Sequence, residues 1–203
     1  MSCLAKYISL HRLCKMMIYP SIILLLSFSF ACGDRNPENS SVEVITGDSL
    51  QKKIFEHLLA VTENKIPATH LDDSLSFLLL PVHAICPYCR KKVIDSIAKY
   101  KEEIPPNQYI VISADGGKKL IGSYFKEQGQ ELPSTNRIFL DSTNLAFRYD
   151  LFDEKPTIYY TSNQRAIIKV ASIPATVKQD LHTFFSPSGR PELWQRASNS
   201  DPN

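Results

Sequence analysis

Leu75-Ser76-Phe77-Leu78-Leu79-Leu80-Pro81-Val82-His83-Ala84-Ile85-Cys86-Pro87-Tyr88-Cys89-Arg90-Lys91-Lys92-Val93-Ile94 is the stretch on which the reading of this chain turns. An apolar run that ends at Ile85 meets two cysteines and then a basic pattern. A continuous apolar run of this kind marks a strand buried on both faces, here expected over Ser74 to His83. From Pro87 the pattern is helical, with Val93, Ile94, Ile97, Ala98 and Tyr100 expected inward and Pro105-Pro106 as the stop. The cysteines therefore fall at a strand-to-helix junction. Backbone N–H groups of a first helical turn point at the first sulfur, and the helix dipole favours negative charge there. Both effects lower a thiol pKa, and the thiolate is the form that attacks disulfides.

Elements alternate on either side of this junction. Asp48-Ser49 caps an expected helix through Thr62, with Leu50, Ile54, Leu58 and Val61 inward. Tyr109 to Ser113 reads as a second buried strand, Lys118 to Gln128 as a helix ended by Gly129, and Asn136 to Leu140 as a short strand. Ser142 to Tyr149 follows as a short helix. Pro156 to Thr161 and Ala166 to Ala171 make a hairpin around Ser162-Asn163-Gln164, and Pro174 to Phe185 is a last helix. Strand and helix in alternation, closed by a hairpin, imply an α/β three-layer sandwich with a mixed central sheet flanked by helices.

The chain has 203 residues, 43% hydrophobic and 22% charged, the profile of one globular domain with extensions. Its formal charge of +2 comes from Lys6, Arg12 and Lys15, because the first 31 residues hold no acid. The remainder carries 20 basic and 21 acidic residues, so no basic stripe for nucleic acid is expected. Five cysteines stand at 3, 14, 32, 86 and 89, and only Cys86 and Cys89 belong to the folded body. That excludes a multi-disulfide scaffold and a four-cysteine zinc site.

Residues 1–31 have the basic, then apolar, then small-residue layout of a signal peptide. The apolar part, residues 16–31, is short for a membrane span. Ala31-Cys32 at its end resembles a bacterial lipoprotein signal, which implies lipidation of Cys32 and tethering to a membrane surface. Residues 32–47 read as the lipidated N-terminus and tether with a short strand over Val42 to Ile45, residues 48–185 as the domain, and residues 186–203 as a loose tail in which Leu193-Trp194 are positioned to dock.

CPYC after a buried strand, a next strand ending in Val111-Ile112-Ser113-Ala114-Asp115, and Lys155-Pro156-Thr157-Ile158-Tyr159-Tyr160 opening a later strand together resemble the thioredoxin-like superfamily, in particular membrane-tethered thiol–disulfide oxidoreductases of the TlpA/ResA kind. The resemblance spans roughly Leu75 to Phe185. It implies a thioredoxin-like fold and a cis peptide bond before Pro156, with Pro156 against the cysteines. It also implies exchange of dithiol and disulfide outside the cytoplasm, at a bacterial cell envelope, facing the periplasm or its equivalent. Cys86 is the implied nucleophile and Cys89 the resolving thiol; Pro87, Tyr88, Pro156 and Thr157 are the implied supports for the site and its substrate. The partners are then a protein carrying a thiol or disulfide and a redox donor or acceptor protein. No cofactor is needed, because the cysteine pair itself carries two electrons. The chain departs from the family at Ile85, where relatives have tryptophan, and at Leu80, where thioredoxins bury an acid. Lys155 before the proline is also unusual.

Other readings of the same residues stand beside this one. A CxxC disulfide can merely staple a helix start, leaving a binding module. His83 with Cys86 and Cys89 makes a metal-ligand spacing, as in a copper-delivery lipoprotein, although His83 falls in the expected buried strand, where a packed histidine is commoner. Arg90, Lys91 and Lys92 either support a thiolate or form a solvated basic face. Asp115 reads as a turn-former before Gly116-Gly117, and His57, His70 and His182 as surface or packing residues.

Overall fold

The computed structural model describes residues 42–187. The readings at residues 1–41 and 188–203, including the signal, Cys32 and Leu193-Trp194, lie outside the described residues. The elements in chain order are β1 (Val42–Val44), α1 (Asp48–Val61), β2 (Ser76–Pro81), α2 (Pro87–Tyr100), β3 (Gln108–Ser113) and α3 (Gly117–Glu127). They are followed by β4 (Ile138–Asp141), α4 (Leu145–Arg148), β5 (Thr157–Ser162), β6 (Arg165–Ala171) and α5 (Val177–Phe185). No helix among the described residues is long and apolar enough to cross a membrane.

Six strands form one mixed sheet in the order β1-β6-β5-β2-β3-β4. β2 pairs with β3, and β3 with β4, in parallel; β5 lies antiparallel to both β2 and β6. The four inner strands, β6-β5-β2-β3, have the order and sense of the thioredoxin-like fold, so the expected architecture is the one found. The steps from β2 to β3 and from β3 to β4 are both parallel crossovers in the same direction. Crossovers of one hand must place their helices on one face, and α2 and α3 do share a face, joined there by α5. α1 and α4 cover the opposite face.

β2 is the centre of the packing. All six of its residues are buried. Side chains alternate across a strand, so Leu78 and Leu80 enter the core with Val93, Ile94 and Ile97 of α2, while Phe77 and Leu79 enter the other with Phe55 and Leu58 of α1. Each such leucine contributes about 1.5–3 kcal/mol by leaving water. The strand ends at Pro81, earlier than its apolar run. Ala84 N–H turns back to the Pro81 carbonyl at 3.0 Å, which puts His83 in an exposed turn and corrects the expectation that it is packed within the strand.

Other boundaries shift for local reasons. α2 stops at Tyr100 rather than Ile104. A proline ring clashes with the carbonyl four residues back and gives it no N–H, and for Pro105 that carbonyl belongs to Lys101, the helix C-cap. In α1 the inward place of the first turn belongs to Gln51, whose Nε2 donates to the Ile45 carbonyl at 2.7 Å. Leu50, expected inward, stands 49% exposed. The hairpin closes on Asn163 and Gln164 with φ of 48° and 59°, the paired left-handed geometry that matches strand twist. The strand anticipated near Val42 is present and pairs with β6.

Asp141, at the end of β4, is a buried carboxylate satisfied by four donors. Leu145 N–H and Ala146 N–H reach it at 2.9 and 2.8 Å, Ser113 Oγ at 2.7 Å and Thr143 Oγ1 at 3.2 Å. Asp141→Ala strands those donors, and a loss of about 2–4 kcal/mol is expected in denaturant titration with the slope unchanged. On α5, burial holds the Asp180 carboxyl above the usual carboxylate range, against a 2.8 Å hydrogen bond from Thr176 Oγ1 that favours the ionised form. In that window the folded chain keeps a proton that the unfolded chain has lost, so falling pH stabilises the fold at this site. Relative to Asp180→Asn, the parent protein is expected to gain stability as pH falls towards about 4, read from unfolding midpoints across a pH series.

Candidate active site

Cys86 is the N-cap of α2 and Pro87 is its first residue. Proline fits there because its missing N–H has no helical partner to lose and its φ is preset. Cys86 has extended backbone, with φ −92° and ψ 96°, so its side chain turns back over the helix end. Its Sγ accepts the Cys89 N–H at 3.0 Å, and its carbonyl takes the Arg90 N–H at 3.0 Å. A sulfur thus fills the place that a serine or aspartate oxygen usually takes at a helix start. Cys86 and Cys89 are joined as a disulfide, with Cα atoms 5.3 Å apart.

The two sulfurs have different surroundings. Cys86 is partly exposed, whereas Cys89 is wholly buried among Leu80, Val82 and Val93. Ile85 and Tyr88 flank the pair with 70% and 43% of their surfaces in water. Lys92 stands over the Tyr88 ring at 5.6 Å. Leu80, at the place where the family resemblance leads one to expect an acid, is fully buried in the same cluster as Cys89.

The loop before β5 meets the loop before α2 through one backbone bond, Ile85 N–H to the Glu154 carbonyl at 3.0 Å. This brings the Lys155-Pro156-Thr157 segment to the dithiol's end of the sheet. The peptide bond before Pro156 is trans, and no cis bond occurs among the described residues, which corrects the expected cis-proline. Trans is the lower isomer of an X–Pro bond by about 0.5–1 kcal/mol. The Pro156 carbonyl accepts Ser172 N–H at 2.8 Å. Thr157 is fully buried, and its Oγ1 donates to the Lys155 carbonyl at 3.0 Å, so it braces the segment rather than facing solvent.

Sequence spacing alone does not show what holds the loop from the far side. Tyr124, on α3, places its hydroxyl 3.0 Å from His83 Nδ1, with the rings edge-on at 5.5 Å. The Arg90 guanidinium lies over the Tyr124 ring at 4.7 Å and donates to the Val82 carbonyl at 2.9 Å. A tyrosine at helical spacing reads as packing, and only the tertiary structure shows its link to the loop. His83 is thus engaged by Tyr124, and among the described residues no group of three or more His, Cys, Asp or Glu side chains is arranged to hold a metal ion. Asp115 sits at the sheet's carboxyl end in an isolated bridge with Thr143, in keeping with a turn role. A cleft of about 390 Å3 lies along β4, lined in part by Lys65, His70, Lys118 and Arg137; neither cysteine lines it.

Fold and site together define a thioredoxin-like domain whose CxxC pair is closed at the mouth of a helix. No family model matches the chain, and no curated protein does. Among solved structures it is similar to a protein from Chlorobium tepidum named as a thiol:disulfide interchange protein, DsbE, at 14% identity over 58% of this chain and 77% of that one, with a TM-score of 0.35.

The unequal exposure of the cysteines has a direct readout. After mild reduction, iodoacetamide is expected to label Cys86 at least tenfold faster than Cys89, with Cys89 labelled at speed only in denaturant; peptide mass spectrometry at each site measures both.

Proposed function

We propose that this protein is a thiol–disulfide oxidoreductase, tethered through lipidated Cys32 on the extracytoplasmic side of a bacterial envelope. The observation that carries the reading is the Cys86–Cys89 disulfide across the first turn of α2, with the outer sulfur partly open to solvent and the inner one buried. A bond that serves only as a staple has no need of a reachable sulfur capped by a backbone N–H.

In the reducing direction, the Cys86 thiolate attacks one sulfur of a substrate disulfide. A mixed disulfide forms, and the substrate's other sulfur leaves as a thiolate and takes a proton. Cys89 then loses its proton and attacks Cys86 Sγ. The mixed bond breaks, the second substrate sulfur leaves and is protonated, and the Cys86–Cys89 bond is restored. Two electrons have passed to the substrate, with one proton drawn from Cys89 and one from solvent, and a dithiol partner protein must return the electrons. The reverse sequence oxidises a dithiol. Pro87 and Tyr88 shape the approach to Cys86, and the buried Pro156-Thr157 segment supports the site through the loop that the Ile85–Glu154 backbone bond joins to it.

Trapping tests the reading. Cys89→Ser is expected to accumulate mixed disulfides with a disulfide substrate, and Cys86→Ser to accumulate none. Redox equilibration of the parent with glutathione is expected to give a potential above about −300 mV, the level below which structural disulfides lie. A lower potential, with both variants inert, would identify the bond as a staple.

A further inference from the structure

β4 is an outer strand of the sheet, and among the described residues no strand pairs with its far side. Its register with β3 shows which groups are left over. Arg137 and Asp141 give their carbonyls to Ile110 N–H and Ala114 N–H, at 2.8 and 3.0 Å. Along a parallel ladder alternate residues bond to alternate sides, so Ile138 and Leu140 turn their main-chain groups away from β3. Half of those groups are used locally. Ile138 N–H donates to the Thr135 carbonyl at 3.3 Å, and the Leu140 carbonyl accepts Ser142 N–H at 3.0 Å. The Ile138 carbonyl and the Leu140 N–H have no partner among the described residues. Both residues line the cleft of about 390 Å3.

Edge strands are ordinarily guarded by charges, prolines or bulges of their own. β4 has no such guard. It reads Ile138-Phe139-Leu140-Asp141, and Asp141 is turned in to its donors. The charges stand back instead, on the segments that wall the cleft. Lys65 lies on the loop after α1, Lys118 in the first turn of α3, and Arg137 just before β4. Glu63 is the one carboxylate residue in the lining. The hydrogen bond from Lys65, with the Lys118 charge behind it, holds its carboxyl below the usual carboxylate range. The Arg137 guanidinium donates to the Pro106 carbonyl and lies over the Tyr109 ring at 5.8 Å, so it is held in place with donors of its fork to spare. Three lysine or arginine charges thus face one acid across an open sheet edge.

We propose that this cleft binds an extended acidic segment of a partner protein, which adds a strand to the outer edge of β4. Such a strand uses both leftover groups, donating to the Ile138 carbonyl and accepting from the Leu140 N–H. A small anion would meet the N–H but also a carbonyl that repels it. A second copy of the chain, placed edge to edge, would bring the same excess of positive charge. Acidic side chains on the incoming segment meet Lys118 and Arg137, and a guanidinium takes a carboxylate through two parallel bonds. The site uses neither cysteine, so it stands apart from the proposed function.

The probe is a fluorescein-labelled peptide of about six residues in which glutamate and valine alternate, titrated into the full-length chain and read by fluorescence anisotropy. Saturable binding is expected, weakening as salt is added. Lys118→Glu, a change at an exposed side chain, is expected to lower the affinity by roughly threefold to tenfold and to leave the melting temperature in place. The same peptide N-methylated at every amide keeps its charge and loses its donors, and is expected to bind at least roughly tenfold more weakly. No saturable binding up to about 1 mM overturns the proposal. An affinity unmoved by Lys118→Glu, or equal binding of a lysine–valine peptide, overturns it because charge is then not the cause. Equal binding of the N-methylated peptide overturns strand pairing. Full displacement of the probe by millimolar inorganic phosphate at constant ionic strength overturns it in favour of a small-anion site. A stable dimer of the chain in sedimentation, lost in Leu140→Pro, overturns it in favour of a second copy.

Discussion

Burial of β2 on both faces is the constraint from which the rest of the molecule follows. A strand with no solvated side must have a helix over each face, and here those helices come from sequence on either side of it. Its carboxyl end then fixes where a partly open sulfur can emerge. The strand stops at Pro81, a short turn follows, and Cys86 arrives at the sheet's end already in the extended conformation that starts a helix. The sulfur's position is therefore a product of packing far larger than anything local to the motif.

Around that sulfur the local rules of helix stability are partly broken. The first turn of α2 has no acid, and three cations follow the cysteines. Each would cost a free-standing helix a few tenths of a kcal/mol. The structure offsets this with an ion pair for Lys91, an aromatic face for Lys92, and both a carbonyl and a ring for Arg90. Tyr124 belongs to α3 and not to the motif, so the motif's electrostatics depend on an element that returns to the same face by a second crossover.

Much of the fold was legible because its signals are strong and local. The apolar run through Ile85, the helical spacing of Val93, Ile94 and Ile97, and the turn at Asn163-Gln164 each state their structure without reference to distant residues. The legible part of the site was the cysteine pair. What spacing hid was tertiary. Gln51 rather than Leu50 faces in because a loop carbonyl at Ile45 waits for it. His83 left its strand because the chain turned on the Pro81 carbonyl. The Tyr124 contacts join residues that no periodicity relates, and the trans bond before Pro156 departs from what the resemblance implies.

The bond from Ile85 N–H to the Glu154 carbonyl has one more consequence. It is made by main chain alone, so nineteen of the twenty residue types at position 85 would preserve it, and only proline would delete the donor. The rim of the dithiol is thereby freed from the task of holding its own shape. Its greasiness, charge and bulk can change while the two loops keep their register and the sulfur keeps its place.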